Sequence, residues 1–279
     1  MNLIKPSFEI IEQPSEVEGM YKHIELCGRT CYKSQDRITE DSAKKFVDGL
    51  IKSGHGSVLE HGTVYLFAEF YNDKGGSPIS KYKENKYSKH TWDDSGEYVT
   101  TNLRVLLEND WMEDLQYVCE PTEYHEKRIT VKFICDIGIS REFNRHRVNS
   151  ISEQSTRYCN YSKDKFGNVI TYIIPNDCPS LVEGNKQEYS PFEITDVEVE
   201  LMDAYQDAQR HYLNLIDLGW KPQQARRVLP LSTATELIHT AFVSDWKHFF
   251  ELRDHSAAHP QAVELAKPLH EEFIKRNLI

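Results

Sequence analysis

The sequence predicts an α+β fold: an antiparallel or mixed sheet with a helical layer and a helical C-terminal half. Two observations carry that expectation. Residues 128–136 alternate, with Ile129, Val131, Phe133 and Cys135 on one side and Arg128, Thr130, Lys132 and Ile134 on the other. That is the period of a strand covered mainly on one face. Residues 196–218 instead place Val197, Leu201, Ala204, Ala208, His211 or Tyr212, and Leu215 at three- and four-residue steps, the period of a helix. Few strands with helices segregated to one side define the class.

In order along the chain, a short strand is expected near 8–12 and a helix over 16–26, followed by a polar loop at 28–34. Thr39 is the expected cap of a helix to Ser53, and Gly54 supplies its left-handed end. A strand over 63–70 follows. Gly75-Gly76 and Asp94-Ser95-Gly96 mark an inserted hairpin, then helices at 101–109 and 111–117. The strand 128–136 runs into a helix over 138–144. A strand at 169–174 ends at Pro175, and a loop at 176–192 carries Pro179, Gly184 and Pro191. Gly219 stops the long helix, and Pro222 opens a short one over 223–228. Helices at 232–243, 245–253 and 259–276 complete the expected C-terminal half.

Composition narrows the functional classes. Apolar residues make up 39% of the 279, enough for a core. The net charge of −11 argues against a nucleic-acid binder or an anionic membrane surface as partner. No stretch approaches the ~20 apolar residues of a membrane span, and the first ten residues lack the apolar run of a signal peptide. The six cysteines form no C-x-x-C pair, so they read as reduced thiols of a cytoplasmic protein.

The richest stretch is residues 145–158, which holds Arg145, His146, Arg147, Glu153, Gln154, Ser155, Thr156 and Arg157. It is read as a helix end entering a loop. Clustered guanidiniums repel unless an anion lies between them, and their planar forks suit phosphate or carboxylate. The competing reading is a solvated charged face. A second polar stretch runs from His55 to His61, with Ser57 and Glu60 between. It is read as a pocket wall in preference to a metal site, because its spacing matches no standard zinc pattern. His255 and His259 stand four apart, but Pro260 follows at once, and no metal is expected.

Arg145-His146-Arg147, seven residues, then Ser155 is the R-H-R-x7-S pattern of the flavin-dependent thymidylate synthases, which this chain resembles. Four further motifs fall in family order: Gly28-Arg29-Thr30-Cys31-Tyr32, Gly54-His55 with Glu60-His61, Ala225 to Leu231, and Phe250-Glu251-Leu252-Arg253. They cover nearly the whole chain. The resemblance therefore implies one domain over 1–279, with an inserted hairpin and helical segment at about 72–127. It implies reductive methylation of dUMP to dTMP, with methylenetetrahydrofolate as carbon donor, NADPH as reductant and FAD as hydride carrier. It also implies a homotetramer with active sites between protomers.

Residue by residue, the resemblance makes Arg253 the catalytic cation at the uracil N3/O4 edge. It assigns dUMP to Glu142, Arg145, Glu153, Gln154, Ser155, Thr156, Arg157, Arg226 and Arg253. It assigns FAD to Ser57, Glu60, Arg145, His146, Arg147, Glu153 and His248, with His55 at the flavin or folate edge. Ser155 is read as a ligand-binding hydroxyl, since no His-Asp arrangement is seen to activate it. The chain departs from the family at Glu142, where Gln is expected, and at Ser152, where Asn is common. Ala257 replaces a frequent His, and Phe242 to Ser244 lack the usual Asn and Arg.

Overall fold

The computed structural model describes residues 1–71, 76–181 and 194–279. Gly75 of the Gly-Gly pair, and Gly184 and Pro191 of the expected loop, lie outside them. The strands are β1 (Asn2–Ile4), β2 (Ser7–Ile11), β3 (Thr63–Glu69), β4 (Lys89–Trp92), β5 (Gly96–Asn102), β6 (Arg128–Asp136), β7 (Ser150–Glu153), β8 (Thr171–Ile173) and β9 (Ala234–Phe242). The helices are α1 (Val17–Thr30), α2 (Ser42–Ser53), α3 (Gly56–Leu59), α4 (Leu103–Glu108), α5 (Ile137–Phe143), α6 (Asp196–Asp217), α7 (Pro222–Ala225), α8 (Val243–Arg253) and α9 (Pro260–Lys275). Among the described residues the strands form three sheets: β1 beside β8 in parallel, β3-β5-β4, and the antiparallel β2-β6-β9-β7.

The four-stranded sheet organises the molecule. On one face Val131 pairs with His239 and Phe133 with Leu237. These residues pack on Trp246, Phe249, Leu269 and Phe273 of α8 and α9, all fully buried. The Trp246 indole N–H donates to the Ile129 carbonyl at 3.0 Å, which ties α8 to β6. The other face is polar. Thr130 and Thr240 share a 2.7 Å hydrogen bond there; Thr130 meets His23 of α1 at 3.0 Å and Thr240 meets His61 at 2.8 Å. His61 also bonds the Ser152 hydroxyl at 2.9 Å, so a continuous buried chain crosses the sheet to its edge strand β7.

The clearest correction concerns residues 232–243, expected as helix. Residues 234–242 are β9, the strand between β6 and β7. Eight of its nine residues are buried, so both faces are covered and no polar alternation marks it as a strand. Of the three helices expected after residue 231, the last two stand as α8 and α9 and the first is this central strand. The loop expected at 28–34 begins inside α1, which runs to Thr30. Thr39 does not cap α2, whose N-cap position is Asp41 without a side-chain bond; Ser42 instead bonds Thr39 and Glu25. Residues 150–153, expected in a loop, pair with β9 as β7. In α6 Tyr212 is buried and Leu201 and Leu215 pack on the core as expected, but Met202 and Tyr205 are buried in place of Val197 and Ala204, which face out. Gly54 ends α2 in the left-handed region at φ 71°, as expected.

The described part of 72–127 is woven into a second core. β5 pairs with β3 over its full length, and Tyr82, Val99 and Leu106 pack on Leu59, Val64 and Leu66. Asn102 caps α4 by accepting from the Val105 N–H.

Candidate active site

Asp136, at the end of β6, accepts from the Ile139 N–H at 2.6 Å and so starts α5. α5 then carries Glu142 and delivers Arg145-His146-Arg147 just past its last turn. Burial alternates over that tripeptide: His146 is buried, while Arg145 and Arg147 are exposed. His146 lies against Phe249, with ring centroids 4.9 Å apart. Burial, and then the nearby Arg253 charge, pull its pKa down to about 4, so it is neutral at pH 7. The neutral Nε2 accepts from Arg253 Nε–H at 3.2 Å.

Arg253, in the last turn of α8, is held on three sides. Besides His146 it donates from Nη1 to the Glu142 carboxylate and from Nη2 to the Glu142 carbonyl, each at 2.7 Å. Its side chain is only 11% exposed. This is a guanidinium fixed in place before any ligand arrives, with a carboxylate as its partner. Arg145 lies 3.9 Å from the same carboxylate. A cavity of about 730 Å³ opens here, walled by Arg145, His146, Arg147, His248 and Arg253, with Ala257 and Ala258 beyond. His248 is exposed and 3.3 Å from Glu251.

A second cavity, of about 600 Å³, shares Arg147, Val148, Asn149 and Asp245 with the first. Glu60 lines it, and its carboxylate pairs with Arg104 at 2.6 Å. Arg128, to which the sequence assigns no ligand, lines it as well. Its buried guanidinium donates to the Glu60 carbonyl (2.9 Å), Thr63 (3.3 Å) and Ser150 (2.9 Å), while Nε has no partner. Burial lowers its pKa to about 10, still charged at pH 7. Burial also raises the pKa of Asp245. The only sequence signal for Arg128 was a charge at the start of a strand with one apolar face; Asp245 had none.

The other expected residues gather elsewhere. Glu153 accepts from Ser140 (2.7 Å), Thr235 (3.2 Å) and Asn144 (3.3 Å), so it braces β7 against α5. Past β7, Gln154 N–H donates to the Glu236 carbonyl and Ser155 N–H to the Cys31 carbonyl, at 2.8 and 2.9 Å. Ser155 Oγ accepts from the Arg157 N–H at 3.3 Å. The short helix α7, begun by Pro222, brings up Arg226, which donates to Thr156 at 3.1 Å. Lys33 pairs with Glu236 beside this loop. Gln154, Ser155, Thr156, Arg157 and Arg226 therefore form a second polar group, and none of them lines either cavity. His55 and Ser57, at the start of α3, are exposed and also line neither. Among the described residues no group of three or more His, Cys, Asp or Glu is placed to hold a metal ion. No described helix is long and apolar enough to cross a membrane.

Residues 118–276 match the profile of the family described as thymidylate synthase complementing protein, and the chain belongs to that family. Relatives named flavin-dependent thymidylate synthase share its sequence. That of Geobacter sulfurreducens is 34% identical over 120 residues, 42% of this chain and 44% of the relative. That of Thermosipho melanesiensis is 28% identical over 143 residues, 49% and 60% respectively. That of Pyrococcus furiosus is 27% identical over 188 residues, 65% and 70%. The matches to the first two thus span about half of the relatives' length. Among solved structures, a UMP/dUMP methylase, PolB from Streptomyces cacaoi, bound with 5-Br dUMP, aligns over 99% of this chain and 93% of its own at 18% identity, with a TM-score of 0.45.

Proposed function

We propose that this protein is a flavin-dependent thymidylate synthase. It methylates dUMP to dTMP, taking the one-carbon unit from methylenetetrahydrofolate and the reducing equivalents from NADPH. The observation that supports this most is Arg253, immobilised by Glu142 and His146 at the wall of the cavity that Arg145 and Arg147 also line.

Uracil C5 is a weak nucleophile until negative charge enters the ring. A fixed guanidinium beside the N3/O4 edge stabilises that charge without reorganising during the reaction. Neutral His146 serves this purpose better than a charged one, because a second positive charge would push Arg253 away. The residues fit FAD: exposed Arg147, on the wall shared by the two cavities, offers a fork to the diphosphate, and Arg145 lines the cavity beside Arg253 that takes the flavin ring. When bound, FAD supplies the hydride that converts the transferred methylene to methyl. The chain's own part is to hold the reactants and shape the field.

No covalent nucleophile is required of the chain. Burial raises the pKa of Cys31 and of Cys159, which is pushed to about 11, so neither favours thiolate. Thr156 and Arg226, with Arg157 beside them, are offered to the dUMP phosphate. Because they line a different part of this chain from Arg253, a homotetramer is the reading that completes the site, with one protomer supplying the phosphate group to another's Arg253. Six unpaired cysteines support a cytoplasmic setting.

The test is an absorption spectrum followed by turnover. Flavin bands that bleach with anaerobic NADPH, and dTMP formed when dUMP and methylenetetrahydrofolate are added, are the expected results. Bleaching without dTMP would point to an NADPH oxidase, a reading that Glu142 favours by countering the Arg253 charge. Absence of flavin binding would overturn both.

A further inference from the structure

The described part of the inserted segment builds one wall of the second cavity. Lys86 and Lys89 come from the run entering β4, and Arg104 from α4; Arg128, Arg147 and Phe242 stand among the other lining residues. Arg147, Val148, Asn149 and Asp245 line both cavities, so the two lie side by side as lobes about a shared wall.

The charges in the second lobe do not cancel. Five cations face three carboxylates, Glu60, Glu108 and Asp245. Arg104 holds two of those, Glu60 at 2.6 Å and Glu108 at 2.7 Å. Among the described residues, Lys86, Arg128 and Arg147 have no carboxylate within ion-pair distance, and Lys89 reaches only Glu126, at 3.6 Å. Arg128 is buried with its Nε unpartnered. Its burial is only partly offset by its three hydrogen bonds and by the Glu60 and Asp245 charges, since neither carboxylate pairs with it. In a chain of net charge −11, the lobe is a local positive island. A polyanion relieves it, and phosphate matches the forked donors.

The two lobes also have the right form. Each lobe, of about 730 and 600 Å³, is the size of one small-ligand pocket. A ligand with two ring systems joined through a diphosphate fills both. The Asn and Arg that the family resemblance leads one to expect are missing at Phe242 to Ser244. Lys89 Nζ lies 5.5 Å from the Phe242 ring centroid, so the insertion brings a cation to that same place.

We infer that the inserted segment is part of the cofactor site: Lys86 and Lys89 clamp the diphosphate–adenylate half of FAD in the second lobe. This rests on the flavin reading above, which puts the flavin ring in the first lobe beside Arg253. FMN lacks the adenylate half, so it separates the two claims. Deflavinated protein would be titrated with FAD and with FMN by flavin fluorescence, alongside Lys86→Glu/Lys89→Glu and the conservative Lys86→Arg/Lys89→Arg. Both lysines are exposed, so neither exchange disturbs a core. The charge reversal is expected to weaken FAD binding about tenfold or more, as loss of charge-assisted phosphate contacts does, while FMN binding moves less than about twofold and the arginine pair retains FAD. FAD affinity unchanged by the reversal, or FAD and FMN weakened equally, would overturn the role of the insertion with the flavin reading intact. Native protein that binds neither flavin would overturn the flavin reading and this inference together.

Discussion

At the scale of single residues, Arg253 is the test of the mechanism. Three hydrogen bonds hold it before substrate binds, so its field is preorganised. Arg253→Ala is expected to lower dTMP formation by ~10²–10³-fold, the usual cost of one lost donor at a developing anion. Circular dichroism should match the parent, since the side chain is not part of an apolar core. Glu142→Gln runs the other way. The carboxylate offsets part of the Arg253 charge, and the amide leaves that charge whole while the Glu142 carbonyl bond survives. Turnover is expected to rise about threefold, the scale of one partly exposed ion pair. A fall in turnover would mean that the carboxylate itself acts on the substrate. Arg145, His146 and Arg147 were legible as a ligand-binding set from their pattern alone. That His146 faces inward as a neutral brace was not, because its burial depends on Phe249 more than a hundred residues away.

At the scale of elements, β7 is an edge strand of four residues, and it carries the chain from Arg147 to Ser155. Ser152 docks it by bonding buried His61, which in turn bonds Thr240. Ser152→Ala leaves a ring nitrogen of His61 buried without that partner. The expected loss is ~1–3 kcal/mol of unfolding free energy, the cost of an unsatisfied buried polar group. Denaturant unfolding measures it, and a loss near zero would show that His61 finds another partner. Strand β6 was readable from alternation because its two faces differ in polarity. Strand β9 was not, since it is buried on both faces and its Ala, Leu and Glu suit a helix equally well. The pairing partner, not local preference, decides its state.

At the scale of the molecule, burial of histidines sets the pH response. His23 and His146 are pulled down to about 4 and His239 to about 3 from an ordinary 6.5, each chiefly by burial. Below pH 6.5 the unfolded chain takes up protons that the folded one refuses until near pH 4. This contribution is therefore complete above pH 6.5 and is lost as pH falls toward 4. Asp136, Asp245 and Glu264 are raised by burial and offset part of it at the acid end. The thermal midpoint should fall from pH 6.5 to 4.5, with net proton uptake on unfolding at pH 5.5. A flat midpoint across that range would refute the assignment. The tetramer is tested by light scattering, which should return the mass of four 32.5 kDa chains. A monomer that still makes dTMP would show that one chain suffices.

The amino-acid order by itself determined the α+β class, the strand 128–136, the long helix near 196–218, the left-handed stop at Gly54 and the family motif from Arg145 to Ser155. Each is written in local terms: a period, a turn residue or a spacing. Tertiary structure alone decided that residues 234–242 pair as the strand between β6 and β7, that Arg128 is buried, and that Glu142 faces Arg253. It also decided that the run from Lys86 to Arg104 walls a cavity that Arg147 lines too. These are contacts between residues tens to more than a hundred positions apart. No local period encodes them, because the burial and charge that give each residue its role come from elements elsewhere in the chain.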